Sequence, residues 1–272
     1  MTATTTDVWA SGEGYESYVG RWSRLVAREF LRWLDVPPGA RWLDVGCGTG
    51  TITQLVLDGA APATVGAVDR SPSFIAFARN RVRDPRASFS VADAQALPHA
   101  TGRIDAAVSG LVLNFVPQPD AAVAEMRRVV RDGGVVAVYV WDYAQGMQLM
   151  RVFWDTAVAL DPRALERDEA PRFPICDPVA LATLFRDAGL LGVESRAIDV
   201  PTRFRDFDDY WRPFLSGQGP APSYAMSLSD ERRGELRERI RAALPIAADG
   251  SIDLVARAWA VRGNVTGAAG TG

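Results

Sequence analysis

Residues 42–50 read Trp42-Leu43-Asp44-Val45-Gly46-Cys47-Gly48-Thr49-Gly50, a short apolar run followed by glycines at alternate positions. The run predicts a strand over 41–45, and the glycines let the backbone turn tightly and approach a ligand without a Cβ in the way. A helical pattern with Ile52, Leu55 and Val56 follows, and its first turn presents free N–H groups at the same place. The stretch therefore predicts a strand, a ligand-binding glycine turn and a helix.

Short apolar runs and helical patterns alternate on both sides of this turn. Further strands are expected at 64–68, 87–91, 104–109, 135–140, 193–200 and 252–261. Helices are expected from the Ser71-Pro72 cap, from Asp120 to a stop at Asp132-Gly133-Gly134, from Asp177 to Gly189, and over 229–244. This alternation predicts an α/β fold with a Rossmann-like, doubly wound, mostly parallel sheet of about seven strands, the last one antiparallel.

The composition excludes several kinds of site and partner. All 30 Lys and Arg residues are arginine, so no Schiff-base lysine or Walker A loop can form. The single histidine, His99, and two cysteines, Cys47 and Cys176, are too few for a zinc site or a disulfide framework. A net charge of −3 gives no general attraction to nucleic acid or anionic membranes. Residues 1–10 lack a signal-peptide pattern, and the run 135–141 is too short to span a bilayer. We therefore expect a cytoplasmic protein without a metal, nucleic-acid partner or membrane association.

An acidic residue and further motifs follow the glycine turn. Asp69 ends the second strand, where a carboxylate can accept hydrogen bonds from both hydroxyls of a ribose. A dinucleotide-binding turn would have glycine at position 51, where this chain has threonine. The motifs that follow in order are Val68–Ser71, Ala92–Pro98, Ile104–Ser109 and Val129–Gly134. Together with the glycine turn they resemble the motifs of class I S-adenosylmethionine-dependent methyltransferases over about residues 40–142.

Within that superfamily the pattern is most similar to the ubiquinone and menaquinone C-methyltransferase-like branch of small-molecule enzymes. Two departures stand out: Asp132 replaces the proline of the family's last motif, and Leu113–Val116 replaces a histidine pair. The resemblance implies S-adenosylmethionine as cofactor. It implies cofactor contacts from Tyr18, Arg21, Asp44, Gly46, Cys47, Gly48, Thr49, Gly50, Asp69, Arg70, Ser71, Asp93, Ala94, Gln95 and Ser109. Tyr18 and Arg21 belong to a segment that resembles the family's helix closing over the cofactor, and Cys47 is expected to pack under the turn.

Aromatic residues gather after strand five and in a late insertion, the places where this fold commonly forms a roof over the acceptor. We expect acceptor contacts from Asn114, Trp141, Trp154, Phe173, Tyr210, Trp211 and Phe214. Taken singly, each aromatic residue is more often part of a core than a ligand contact, so that alternative stays open. The cluster predicts a small acceptor of apolar or aromatic character.

Methyl transfer from a sulfonium is an in-line displacement that needs alignment in a water-poor pocket and no nucleophilic side chain. A general base is needed only if the acceptor retains its proton, and the candidates His99, Asp142 and Tyr18 are not distinguished. Ser109 stands where metal-dependent catechol enzymes have a carboxylate, so no metal is expected. A non-catalytic S-adenosylmethionine-binding sensor or partner subunit, and a nicotinamide-dependent oxidoreductase, are the alternatives.

We expect a single methyltransferase domain over residues 1–272, with its cofactor-binding half at about 40–142. Insertions at about 143–176 and 201–250 are expected to form a helical, aromatic lid over the acceptor. The ends, 1–11 and 263–272, are polar or rich in small residues and are expected to be disordered. Whether the chain is a homodimer is left open.

Overall fold

The apolar runs form one seven-stranded sheet in the order β3-β2-β1-β4-β5-β7-β6. The structure is a computed structural model and describes residues 20–217 and 219–266. The strands are β1 (Arg41–Val45), β2 (Thr64–Asp69), β3 (Ala87–Val91), β4 (Ile104–Gly110), β5 (Val130–Trp141), β6 (Leu191–Phe204) and β7 (Ile252–Asn264). Strands β1 to β5 pair in parallel, and β7 pairs antiparallel with β5. The predicted Rossmann-like sheet with an antiparallel last strand is confirmed.

Helices connect these strands. They are α1 (Arg21–Leu34), α2 (Thr51–Gly59), α3 (Pro72–Arg81), α4 (Pro119–Val129), α5 (Gln148–Leu160), α6 (Glu169–Arg172), α7 (Pro178–Asp187), α8 (Phe207–Trp211), α9 (Pro220–Ser227) and α10 (Asp230–Ala243). Short 3-10 turns lie at Leu113–Phe115, Pro162–Glu166 and Arg212–Leu215. The predicted cap of α3 forms, since Ser71 Oγ accepts a hydrogen bond from the Phe74 N–H at 3.4 Å.

The start of β5 differs from the prediction. Residues 132–134, expected to be a turn between a helix and strand five, lie inside β5, which begins at Val130. The register against β4 shifts between Ile104 and Ala106, and Gly133 has a φ of +73°. Because glycine adopts this conformation without strain, the extra residues form an irregularity within the strand and do not end it.

The last strand is also longer than predicted. Gly263 and Asn264, placed in the disordered tail by the sequence, pair with Val136 and Val135 of β5. Pairing between strands uses backbone hydrogen bonds and requires no particular side chain. The small and polar side chains of this segment therefore gave no sequence signal for a strand.

Only the first residues of helix α1 were predicted from the sequence, and the rest of the helix was missed. Its buried side chains Trp22, Val26, Phe30 and Leu34 recur every four residues, the spacing of one helical face. The rings of Phe30 and Tyr139 lie 4.8 Å apart between centroids.

The chain divides into two compact units, and its organisation as a single domain stays a prediction. The sheet unit contains Arg24–Trp141, Ile175–Ile198 and the residues from Ala258 onward, and its interior is formed by the buried strands and the inner faces of their helices. The helical unit contains residues 20–23, Asp142–Pro174 and Asp199–Arg257. Its interior is aromatic, with Phe153 and Phe214 stacked at 4.5 Å.

Candidate functional site

The glycine turn lies where the strand order of the sheet reverses. It follows β1, which is flanked by β2 on one side and β4 on the other, with all three strands parallel. Their carboxyl ends therefore share one edge of the sheet. In open α/β sheets, ligands bind at the carboxyl edge beside such a reversal.

Each glycine of the turn has a conformation that other residues adopt only with strain. The φ angles of Gly46, Gly48 and Gly50 are +76°, +50° and +80°. A Cβ added to Gly46 would lie 2.6 Å from the methyl carbons of Val112, whereas one added to Gly48 would meet nothing within 4 Å. Gly46 thus permits close packing, and Gly48 borders open space beside the first turn of α2.

Asp69, at the end of β2, holds the turn in this shape. Its Oδ2 accepts a hydrogen bond from the Gly48 N–H at 2.9 Å, and its Oδ1 accepts one from the Ser71 N–H at 2.8 Å. Burial raises the pKa of Asp69, and the two N–H donors oppose that shift. Each carboxylate oxygen has a second lone pair, so both can still accept a hydroxyl of a ligand.

Asp44 is buried directly under the turn, and in the described part of the chain only one of its two carboxylate oxygens accepts hydrogen bonds. Its Oδ2 accepts hydrogen bonds from the Thr53 N–H at 3.0 Å and the Thr53 hydroxyl at 2.7 Å. Its Oδ1 is fully buried and has no partner among the described residues. Burial, against the pull of the Thr53 donors, raises the pKa of Asp44 to about 7. An unpaired buried carboxylate oxygen is costly unless a cationic ligand group meets it.

Asp93 lies in the exposed loop after β3. It accepts hydrogen bonds from the Gln95 N–H at 2.9 Å and the Gln95 side-chain amide at 3.0 Å. These hydrogen bonds lower the pKa of Asp93, the backbone one most. Ala94 is half-buried beside it. The positive charge of the exposed Arg70 adds to the lowering of the pKa of Asp93 and opposes the rise in the pKa of Asp69.

The other predicted cofactor residues of the sheet unit are buried around the turn. Cys47 packs against Ala67 and Ile75, and burial raises the pKa of its thiol, so it remains protonated at neutral pH. Thr49 is 4% exposed, with its hydroxyl 3.3 Å from that of Thr51. Ser109 is 3% exposed near the end of β4. Tyr18 lies outside the described residues, and so does the side chain of Arg21.

Comparison with known proteins identifies this arrangement. Residues 43–138 match a family model described as a methyltransferase domain. The chain is 36% identical over 134 residues to demethylmenaquinone methyltransferase of Renibacterium salmoninarum, covering 49% of this chain and 51% of that protein. It is 28% identical over 187 residues to 2-methyl-6-phytyl-1,4-hydroquinone methyltransferase of Synechocystis, covering 68% and 57%. Residues 43–138 are therefore a methyltransferase domain. The predicted family and its cofactor are confirmed.

The chain spans about half the length of these two relatives. Among solved structures, phosphoethanolamine N-methyltransferase 2 of Haemonchus contortus, in complex with S-adenosylmethionine, aligns with a TM-score of 0.60 at 16% identity. The alignment covers 94% of this chain and 56% of that one. At this identity the likeness shows the fold of the methyltransferase domain.

The candidate general bases occupy different surroundings. His99 packs on the face of the sheet, with its Nε2 3.4 Å from the position of a Cβ at Gly66 in the middle of β2. Burial and the charge of Arg128 lower the pKa of His99. Asp142, in the helical unit, is 3% exposed and accepts a hydrogen bond from the Gln145 N–H at 3.0 Å. The identity of a base in this methyltransferase stays a prediction.

The aromatic candidates are mostly buried. Trp154, Tyr210 and Phe214 are fully buried in the helical unit, where the Tyr210 hydroxyl donates to the Leu149 carbonyl at 2.9 Å. Trp211 is 5% exposed, and Trp141 at the end of β5 is 2% exposed. This packing supports the alternative that these rings form a core.

Two acceptor candidates differ from that pattern. Phe173 is half-buried, with its ring 5.8 Å from that of Tyr143. Asn114 lies in the sheet unit, in the 3-10 turn after β4, and is 9% exposed. Contact between any of the seven candidates and an acceptor stays a prediction.

Sequence reasoning missed two residues that shape the interior of these units. Thr53 supplies both donors to Asp44, and the signal was a polar residue on the buried face of α2, beside Ile52 and Val56. Glu169 is 1% exposed and accepts a hydrogen bond from the indole N–H of Trp154. Burial raises the pKa of Glu169 to about 8. No periodicity marked Glu169, because α6 is only four residues long.

In the part of the chain that the structure describes, every helix is too short or too polar to cross a bilayer.

Proposed function

We propose that this chain transfers the methyl group of S-adenosylmethionine to a small-molecule acceptor, without a metal ion in the step. The observation that supports the proposal most directly is the glycine turn itself. Its backbone is tied to Asp69, it borders open space at Gly48, and it covers a buried carboxylate oxygen of Asp44 that has no partner among the described residues. These are the features that a ribose, a close backbone approach and an ammonium group require.

The residues of the turn would share the binding of the cofactor. The free lone pairs of Asp69 would accept the ribose hydroxyls, and Oδ1 of Asp44 would meet the ammonium group. The exposed Asp93 carboxylate would accept from the adenine amino group. The bound cofactor supplies an electrophilic methyl group on a sulfonium, and the chain's task is to align the acceptor with it and exclude water.

The nature of the acceptor is part of the proposal. Both relatives described above are named as methyltransferases of quinone or hydroquinone compounds. An apolar or aromatic acceptor is consistent with those names. The proton of the acceptor, where one is released, would go to solvent or to a base such as His99 or Asp142.

Two measurements test this function. S-adenosylmethionine and S-adenosylhomocysteine should raise the melting temperature of the protein, because a ligand of the native state shifts unfolding, and NAD should not. Release of S-adenosylhomocysteine should then require an acceptor, which incubation of labelled cofactor with fractionated small-molecule extracts would detect. Stabilisation by NAD alone would refute the proposal. Binding without turnover in any fraction would instead favour a non-catalytic sensor or partner subunit.

A further inference from the structure

A buried amide after β4 has no partner within the described part of the protein. The Asn114 side chain is 9% exposed, and its Nδ2 is fully buried without a hydrogen-bond acceptor. Native proteins pair nearly all buried polar groups, so each exception needs an explanation. An amide nitrogen is a donor of two hydrogens, and the missing partner is therefore an acceptor atom.

The turn that holds this amide lies against the glycine turn. The side chain of Val112 occupies the space that a Cβ on Gly46 would need, at 2.6 Å. A Cβ on Gly110 would lie 2.6 Å from Ile52 in the first turn of α2. Gly110 and Val112 thus lie against the candidate cofactor site, and Asn114 follows two residues after Val112.

The same segment contains a strained backbone position. Leu111 has a φ of +62°, a conformation that is unfavourable for a leucine. It is held there by a hydrogen bond from its N–H to the Tyr139 carbonyl at 2.8 Å. Strained residues and unpaired buried polar groups concentrate at ligand sites, where contacts with the bound ligand offset their energetic cost. Here the two occur within four residues of each other.

The cofactor has its own partners and does not require this amide. Asp69, Asp44 and Asp93 are acceptors for its ribose, ammonium and adenine groups in the proposed function. Its carboxylate can be met by the first-turn N–H groups of α2, which have no partner within the helix. The remaining ligand of the site is the methyl acceptor.

We propose that Asn114 determines acceptor specificity by donating a hydrogen bond from Nδ2 to an oxygen atom of the acceptor. The substrate class is an oxygen-bearing, otherwise apolar molecule, such as a hydroquinone, phenol or enol. The apolar part would contact the buried Leu111 and Leu113 on either side of the amide. A donor to this oxygen also stabilises the ionised form of a phenol or hydroquinone, which is a better nucleophile than the neutral form once its proton has passed to solvent or a base. This inference rests on the proposed function.

The test compares Asn114→Leu with the wild-type protein. Leucine is similar in size to asparagine and removes the unpaired donor, so the ligand-free variant should melt at the same temperature or higher. Its affinity for S-adenosylhomocysteine, measured by calorimetry, should stay within about threefold of the wild-type value. Asn80→Leu, on the exposed end of α3, is the matched control and should change nothing. Asn114→Ala provides a second variant should leucine disturb folding.

Turnover is measured as transfer of labelled methyl from S-adenosylmethionine to a defined panel. It contains 1,4-naphthohydroquinone, catechol and 4-methylphenol, with 1-naphthylamine and indole as oxygen-free counterparts. The wild-type protein should methylate at least one oxygen-bearing member. In the Asn114 variants, kcat/KM for that member should fall by about tenfold or more, the loss expected for a buried hydrogen bond.

Unchanged kcat/KM in both Asn114 variants would refute the role of the amide in acceptor recognition. A lower melting temperature of both ligand-free Asn114 variants would show a structural role, and a tenfold loss of S-adenosylhomocysteine affinity would assign the amide to the cofactor. Methylation of only the oxygen-free members, or of no member by a protein that binds S-adenosylhomocysteine, would refute the substrate class. Failure of the wild-type protein to bind S-adenosylhomocysteine or S-adenosylmethionine would refute the proposed function itself.

Discussion

Replacing Asp44 by asparagine should stabilise the ligand-free protein at alkaline pH. Burial raises the pKa of Asp44 from 3.8 to about 7. A group whose pKa is raised by folding stabilises the protein fully below its unfolded pKa, and that stabilisation is lost as the pH rises through the folded value. The loss attributable to Asp44 between pH 4 and pH 8 is about 4 kcal/mol. The asparagine side chain of the Asp44→Asn variant would remain neutral and could still accept from Thr53, so the variant should not show this loss.

The same substitution should weaken cofactor binding. The Oδ1 of Asp44 is the buried oxygen without a partner among the described residues, and a ligand ammonium there would form a charge-assisted hydrogen bond worth about 1.5–3 kcal/mol. At pH 8 the variant should therefore bind S-adenosylhomocysteine about 10 to 150 times more weakly. The wild-type affinity should increase from pH 6 to pH 8, as Asp44 ionises, whereas the affinity of the variant should be nearly constant.

The assay is titration calorimetry with S-adenosylhomocysteine at pH 6, 7 and 8, combined with denaturant unfolding of the ligand-free proteins. Asp58→Asn is the control, since Asp58 is exposed on α2 and accepts from the Gln54 amide at 2.7 Å. Wild-type affinity of the Asp44 variant at pH 8, or a ligand-free variant less stable than the wild-type protein at that pH, would refute the reasoning.

Three further predictions follow from single contacts. Asp69→Ala should weaken S-adenosylhomocysteine binding by about 1.5–3 kcal/mol in calorimetry, and an affinity within twofold of wild type would contradict the ribose site. Glu169→Gln should melt above the wild-type protein at pH 9 but not at pH 5, because the stabilisation from the protonated Glu169 is lost as the pH rises through about 8. Equal melting curves at both pH values would argue against a buried neutral acid. Tyr210→Ala should reduce the free energy of unfolding by about 3–5 kcal/mol, since the ring is fully buried. A stable variant with altered acceptor turnover would instead support a role in acceptor binding.

The parts of the fold that sequence predicted best are those with strong local signals. Strands β1 to β4 were placed almost to the residue. β1, β2 and β4 are short, mostly apolar runs, and β3 alternates serine with Ala87, Phe89 and Val91. The glycine turn was located for a similar reason, since glycine adopts the φ angles of Gly46, Gly48 and Gly50 without strain. Asp69 was located by its place at the end of β2.

The missed features depend on contacts between distant residues. The extension of β7 to Asn264 requires pairing with β5, and the irregularity at Gly133 requires a neighbouring strand to define it. The Thr53–Asp44 pair forms only after α2 folds back over β1. A ring such as Tyr210 can belong to the core or contact a ligand. Its three-dimensional packing decides between the two, and its position in the sequence does not.

Hydrogen bonds within the chain hold the glycine turn in shape. Backbone hydrogen bonds join the N–H groups of Gly46 and Cys47 to the Val68 carbonyl at 2.8 and 2.9 Å, and the Gly48 N–H to Asp69. Ordering a free residue costs roughly 1–2 kcal/mol of backbone entropy, and folding has already met that cost here. The turn is therefore preorganised, and association with S-adenosylmethionine should be a single concentration-dependent phase in stopped-flow measurements, with no slower ordering of this segment.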